Sequence, residues 1–178
     1  MSANDPVPYF GNLLQLVRNA TQLDVPVIGH CLGGQLMSRA LGGTVQASEN
    51  MEIGWSDLEA VSPEAAQWLG TSEPVRLFQW HAESFSIPPG ATHLLRGQHC
   101  RNQAYVLGGR HLGMQFHCEV DAPKVREWLI AGAGEIHSCA SPGVGQVETI
   151  LCSLDLDLAH SQRIASHLYR RWASGLKR

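Results

Sequence analysis

The chain contains no C-x-x-C pair, no uninterrupted apolar run of bilayer-spanning length, and no basic-then-apolar leader, since it opens Met1-Ser2-Ala3-Asn4-Asp5. The first absence argues against structural zinc, despite nine histidines. The other two argue against a membrane protein and against secretion, so a soluble, cytoplasmic protein is expected. Positive charge is also scarce. Thirteen Lys+Arg against sixteen Asp+Glu leave a net charge of −3, with no basic patch to displace counterions from a nucleic acid. A G-x-x-x-x-G-K-[ST] phosphate loop is missing too. Charged residues make up only 16% and aromatics 7%, but a hydrophobic content of 44% is enough for a buried core. The 178 residues suit one domain, taken as 1–178, with 123–178 as its helical C-terminal part.

Five cysteines (Cys31, Cys100, Cys118, Cys139, Cys152) form an odd, scattered set. Without a leader, a disulfide framework is not expected. Each is by default a small buried hydrophobe, and a reactive one requires a local argument.

Patterning sketches the order of elements. Leu13, Leu14, Leu16, Val17 and Ala20 recur at helical spacing within Asn12 to Gln22. Asp24 to His30 is short, apolar and β-branched, the pattern of a buried parallel strand with Pro26 near its start. Gly33 to Leu41 is helical again, stopped by Gly42-Gly43. Helix, strand, sharp turn and helix predict an α/β layered sheet. Further strands are expected at Thr44 to Val61, Pro74 to His81, His93 to Arg96, Ala104 to Leu107 and Leu112 to Phe116. A short helix, Pro63 to Leu69, lies among them. Gly108-Gly109 supplies the positive φ of a hairpin turn. Helices follow at Pro123 to Ala133, Gln146 to Leu156 and Leu158 to Leu176, with a loop from Ser138 to Gly145.

The sharpest local signal is Gly29-His30-Cys31-Leu32-Gly33, set between the expected strand and helix. The spacing G-x-C-x-G is that of a nucleophile elbow, in which a strand turns abruptly into a helix and exposes the nucleophile. Flanking glycines are expected because side chains there would collide with the neighbouring elements. The helix N-terminus favours thiolate, the reactive form of cysteine. The Leu32 N–H, just past the sulfur, can donate to a developing oxyanion. A Gly-flanked core cysteine would give the same five residues.

The second block is Phe116-His117-Cys118-Glu119. Residues two apart on a strand share a face, so His117 and Glu119 can meet while Cys118 points away. A cysteine nucleophile needs a base, and the base needs a group that fixes its tautomer. Cys31, His117 and Glu119 can fill those three roles.

These blocks, with Gly34-Gln35, Gln79-Trp80-His81, Asn102-Gln103-Ala104 and Gln115 through Val120, resemble the class I glutamine amidotransferases. The likeness is to stand-alone members similar to the glutaminase domain of guanosine monophosphate synthetase. It implies an α/β flavodoxin-like three-layer sandwich with a mostly parallel sheet. It also implies hydrolysis of the glutamine side-chain amide through a Cys31 thioester. In that reading His117 moves protons, Glu119 orients it and Leu32 serves the oxyanion. Gln35 matches a position that contacts substrate, although a plain helix residue would look the same. His81 falls at the loop lining the substrate pocket, where a structural histidine would also fit. No cofactor and no metal are implied. The partners implied are glutamine or a γ-glutamyl substrate and a separate ammonia-accepting synthase; a homo-oligomer is compatible. A γ-glutamyl peptide or conjugate hydrolase with the same triad, and a catalytically impaired binding or assembly module, are the alternatives.

Three departures from the family pattern stand out. Only thirty residues precede Cys31, so the resemblance implies that the first strands, and the loop donating a second oxyanion N–H, are lacking. Gly34 replaces a larger residue, which is expected to open the pocket. Cys118 replaces the usual proline, which is expected to loosen the turn between base and carboxylate.

Overall fold

A computed structural model describes residues 1–176; Lys177 and Arg178, included in the expected domain, lie outside the described residues. The chain runs α1 (Phe10–Gln22), β1 (Ile28–His30), α2 (Leu32–Ala40), β2 (Val45–Ala60), α3 (Pro63–Leu69), β3 (Val75–Phe85) and β4 (Thr92–Gly97). It continues with β5 (Ala104–Leu107), β6 (His111–Met114), α4 (Ala122–Ala131), α5 (Ala133–Ser138), β7 (Gly143–Val144), α6 (Val147–Cys152) and α7 (Leu154–Ser174).

The sheet has the strand order β1-β6-β5-β4-β2-β3, with β7 paired to β2. The α/β class is as expected. Parallel pairing joins β1 to β6 and β2 to β7. The pairs β2–β3, β2–β4, β4–β5 and β5–β6 are antiparallel, so the sheet carries more antiparallel pairing than the family resemblance implies. For β5–β6 the reason is local: the short connection through Gly108-Gly109, at φ 59° and 69°, can only return the chain beside itself, whereas a parallel pair needs a crossover.

Alternation along the strands sends side chains to two faces. On β5, Ala104 and Val106 join Leu58, Trp68, Leu77, Leu112, Ile164 and Leu168 beneath α3 and α7. Tyr105, between them, joins Phe10, Val17, Leu36, Met37 and Phe85 beneath α1 and α2. Its ring needs the space over Gly113, where a Cβ would lie 2.3 Å from Tyr105 Cζ. A third cluster, with Ile53, Phe78, Val125, Leu129, Ile150 and Leu154, packs α4 and α6 against one end of the sheet. Among the described residues no helix is long and apolar enough to cross a membrane.

Some expected elements shift. The helix expected from Pro123 divides at Gly132 into α4 and α5. The expected loop from Ser138 contains β7. Strand β6 stops at Met114, so His117 and Glu119 sit on irregular backbone, with His117 held by a single bridge to Phe78.

Candidate active site

The register of β1 with β6 assembles the site. His30 lies opposite Met114 in a parallel pair, and the Cys31 N–H donates to the Met114 carbonyl at 2.9 Å. Parallel strands release their chains at the same end. The elbow after β1 therefore meets the residues that follow β6, although 86 positions separate Cys31 from His117 (117 − 31).

Cys31 is the residue just before α2 and has φ 43° and ψ −108°. Only it and Asp24 have positive φ among the described non-glycine residues. Backbone strain of this kind persists only where the surroundings impose it, and it concentrates at functional positions. The imposing contact is close packing of strand on helix: a Cβ on Gly29 would lie 2.5 Å from the Gly33 carbonyl carbon. The expectation for Gly33 itself fails, because its Cβ direction is open. Gly34 is a further correction. A Cβ there would lie 2.4 Å from the Met114 carbonyl oxygen, so its lack of a side chain admits β6 and does not open the pocket. Leu32 begins α2, where first-turn N–H groups have no intrahelical acceptor.

Around the sulfur, Gln115 Nε2 approaches Cys31 Sγ to 3.6 Å and the Trp80 carbonyl lies at 3.8 Å. His117 Nδ1 lies 2.6 Å from Glu119 Oε1. Burial by itself would lower the His117 pKa. The Cys31 and Glu119 side chains outweigh it by hydrogen bonding and charge, raising the value to about 9. Burial would likewise raise the Glu119 pKa, but hydrogen bonding and charge from His117, then charge from His30, hold it below the ordinary value. Trp128 of α4 meets the His117 ring edge to face at 4.9 Å. The start of α4 is fixed by the Asp121 carboxylate, which accepts from the Lys124 N–H at 2.8 Å.

Cys118 points away from this group, as expected, and is buried with its thiol pushed up to about 12 by desolvation. Cys100 is pushed up to about 12 by burial and then by the Glu52 charge. Both are inert thiols. All five cysteines are free.

A cavity of about 460 Å³ opens beside the sulfur, lined by Cys31, Leu32, Gln35, His81, Glu83 and Glu135 among others. The Gln35 side chain is buried, donating to the Glu83 carbonyl at 3.0 Å. His81 lines the wall, but its ring belongs to a buried network. Nε2 lies 3.1 Å from Glu52 Oε2 and 3.2 Å from Gln79 Oε1, and Gln103 donates to the same Glu52 oxygen at 2.8 Å. A second, shallower cavity of about 340 Å³ adjoins His117 and is walled by Trp80, Trp128, Ala131 and Gly132.

Gln115, Trp128, His30 and Tyr169 carry no role assignable from sequence patterns. Gln115 and His30 are within motif range, adjoining or inside the two quoted blocks. Tyr169 lies 139 residues from its partner His30 and leaves no local signal. A nucleophile-type cysteine, an imidazole and an imidazole-orienting carboxylate in this arrangement can support acyl transfer.

Comparison with known proteins identifies the family. The family model for glutamine amidotransferase class-I matches residues 4–129. The glutamine-hydrolyzing GMP synthase of Lactobacillus johnsonii is 33% identical over 101 residues, 56% of this chain and 20% of that protein. One of the subunits of the glutamine-hydrolyzing GMP synthase of Thermococcus kodakarensis is 30% identical over 112 residues, 62% of this chain and 59% of that one. The chain thus matches about a fifth of the longer synthases. Among solved structures, a glutamine amidotransferase from Methylobacillus flagellatus superposes over 100% of this chain and 74% of its own, with TM-score 0.97 and 48% identity. Another, from Thermotoga maritima, covers 97% of this chain and 74% of its own, with TM-score 0.84 and 27% identity. Strained cysteine, downstream histidine and family match converge, and the chain belongs to the class-I glutamine amidotransferases.

Proposed function

We propose that the protein hydrolyses the side-chain amide of glutamine to glutamate and ammonia, with Cys31 as nucleophile, His117 as acid and base, and Glu119 as the group that orients His117. The observation that carries the reading is the strained Cys31 at the strand-to-helix turn, where the parallel pairing of β1 with β6 brings it to the segment in which His117 lies 2.6 Å from Glu119.

The Cys31 thiol proton passes to His117, Cys31 Sγ bonds to the amide carbon, and the carbonyl electrons move onto oxygen, which accepts a hydrogen bond from the Leu32 N–H. As the tetrahedral species collapses, the C–N bond breaks and His117 gives its proton to the departing ammonia. Water then adds to the thioester with His117 taking its proton, the C–S bond breaks, and glutamate leaves. The Glu119 carboxylate accepts from His117 Nδ1–H, which leaves Nε2 as the working nitrogen. Gln35 and His81 contribute through the cavity wall, His81 with its ring committed to Glu52. The ammonia goes to a separate synthase.

A second reading keeps the triad and changes the leaving group to a larger amine. The cavity walled by two indoles beside His117 favours it, because the leaving amine departs on the side of the acid that protonates it. The experiment is to incubate the protein with glutamine and with γ-glutamyl amides and assay glutamate and the released amine. Release that is abolished in Cys31→Ala supports the mechanism, and release that survives removes it. An electrophilic glutamine analogue separates both readings from a catalytically impaired binding module, which would leave Cys31 unlabelled.

A further inference from the structure

Glu119 is approached by two imidazoles. Its Oε1 lies 2.6 Å from His117 Nδ1, and its Oε2 lies 3.1 Å from His30 Nδ1. His30 is the residue immediately before the nucleophile, at the end of β1. Its other nitrogen, Nε2, lies 2.9 Å from the Tyr169 hydroxyl on α7, and the two rings meet edge to face at 5.8 Å. Tyr169 in turn faces Cys118 Sγ at 3.8 Å. One chain of contacts therefore runs from the C-terminal helix through a second histidine to the carboxylate that orients the first.

We propose that His30 and Tyr169 are positioning residues for the amide hydrolysis, forming a second arm that fixes the Glu119 carboxylate through the oxygen His117 does not use. The inference rests on the reading of Cys31, His117 and Glu119 as the reacting groups.

Proton placement gives the arm a direction. An ionised carboxylate can only accept, so His30 presents N–H at Nδ1, the nitrogen nearer Glu119. That nitrogen is buried without an in-line hydrogen bond, so the contact with the carboxylate is chiefly electrostatic. The neutral ring then accepts at Nε2, and the Tyr169 hydroxyl donates to it. The Tyr169 oxygen remains free to accept the Cys118 S–H. Burial is the largest influence on His30 and lowers its pKa against the pull of Glu119 and the Phe116 carbonyl, which agrees with a neutral ring. The arm also explains why the bend at Cys118 holds. A segment of irregular backbone carries base and carboxylate, and its middle residue is pinned beneath α7 while its carboxylate is met by β1.

The test uses the full chain with glutamine and γ-glutamyl-p-nitroanilide as substrates, and iodoacetamide as a substrate-independent probe of Cys31. His30→Leu is expected to lower kcat about tenfold or more, the range for removing an outer hydrogen-bond partner, with KM changed less than twofold. Its Cys31 alkylation at pH 7 is expected to slow towards the rate of a free cysteine. His30→Gln, whose amide N–H can face the same carboxylate, is expected to recover most of the loss. Tyr169→Phe is expected to lower kcat several-fold, and adding it to His30→Leu to lower kcat no further, because both act through one arm. Should His30→Leu not fold, Tyr169→Phe carries the test by itself, and a wild-type kcat in that variant overturns the arm. A wild-type kcat in His30→Leu, a loss confined to KM, or independent additive losses in the double variant overturns the arm alone. If wild-type protein hydrolyses neither substrate and its Cys31 alkylates no faster than free cysteine, the catalytic reading fails and the arm falls with it.

Discussion

His117 keeps a pKa of about 9 although it is mostly buried, because Cys31 and Glu119 together outweigh desolvation. Replacing Cys31 by alanine takes away one of the two partners, so the His117 value should fall, which proton NMR of the ring would show directly. A His117 titration that ignores Cys31→Ala would mean that the two side chains do not communicate. Glu52 poses a different residue-scale question. It is fully buried and meets His81, Gln103 and Ser56. Glu52→Leu strips those groups of their partner at once and should cost about 3 kcal/mol or more in urea unfolding. A loss below about 1 kcal/mol would show that the network contributes little.

The elbow is the element whose glycines can be ranked. Gly29 and Gly34 face backbone atoms that cannot move aside, whereas Gly33 faces open space. Alanine at either Gly29 or Gly34 should cost about 2 kcal/mol or more, the scale of overpacking a tight contact. Alanine at Gly33 should be neutral or add up to about 1 kcal/mol of helix propensity. Thermal melts of the three variants check the ranking, and equal costs at all three positions would refute it. The same geometry relates sequence to structure. Flanking glycines are legible in a G-x-C-x-G pattern. Which of them is crowded depends on how β6 lies beneath α2, and that is a tertiary fact.

At the scale of the whole molecule, the two titrating partners of the site set opposite limits on stability against pH. The His117 pKa is raised above 6.5, so its contribution is complete below that pH and is lost as pH climbs through about 9. The Glu119 pKa is lowered, so its contribution is present above its ordinary value near 4.5 and is lost as pH falls through the depressed one. Stability from this pair should therefore be greatest between about 4.5 and 6.5 and decline on both sides. Denaturant midpoints measured from about pH 2 to 10 should show that window in wild-type protein, and it should flatten in the double variant His117→Phe/Glu119→Gln. A wild-type curve rising steadily to pH 10 would contradict it.

Patterns only a few residues long were enough to set most of the elements and to point to the family. Helical spacing, β-branched runs and paired glycines act locally, so α3 and β5 fall where the pattern puts them. The cysteine between glycines and the His-x-Glu pair were legible because their chemistry is short-range. Folding in three dimensions settled how many strands run antiparallel, that β6 stops before His117, and that His81 turns its ring to Glu52. It also brought Tyr169 to His30 across 139 residues. Pairing and packing across the sheet are long-range contacts, fixed by which faces must be buried together, and no window along the chain contains them.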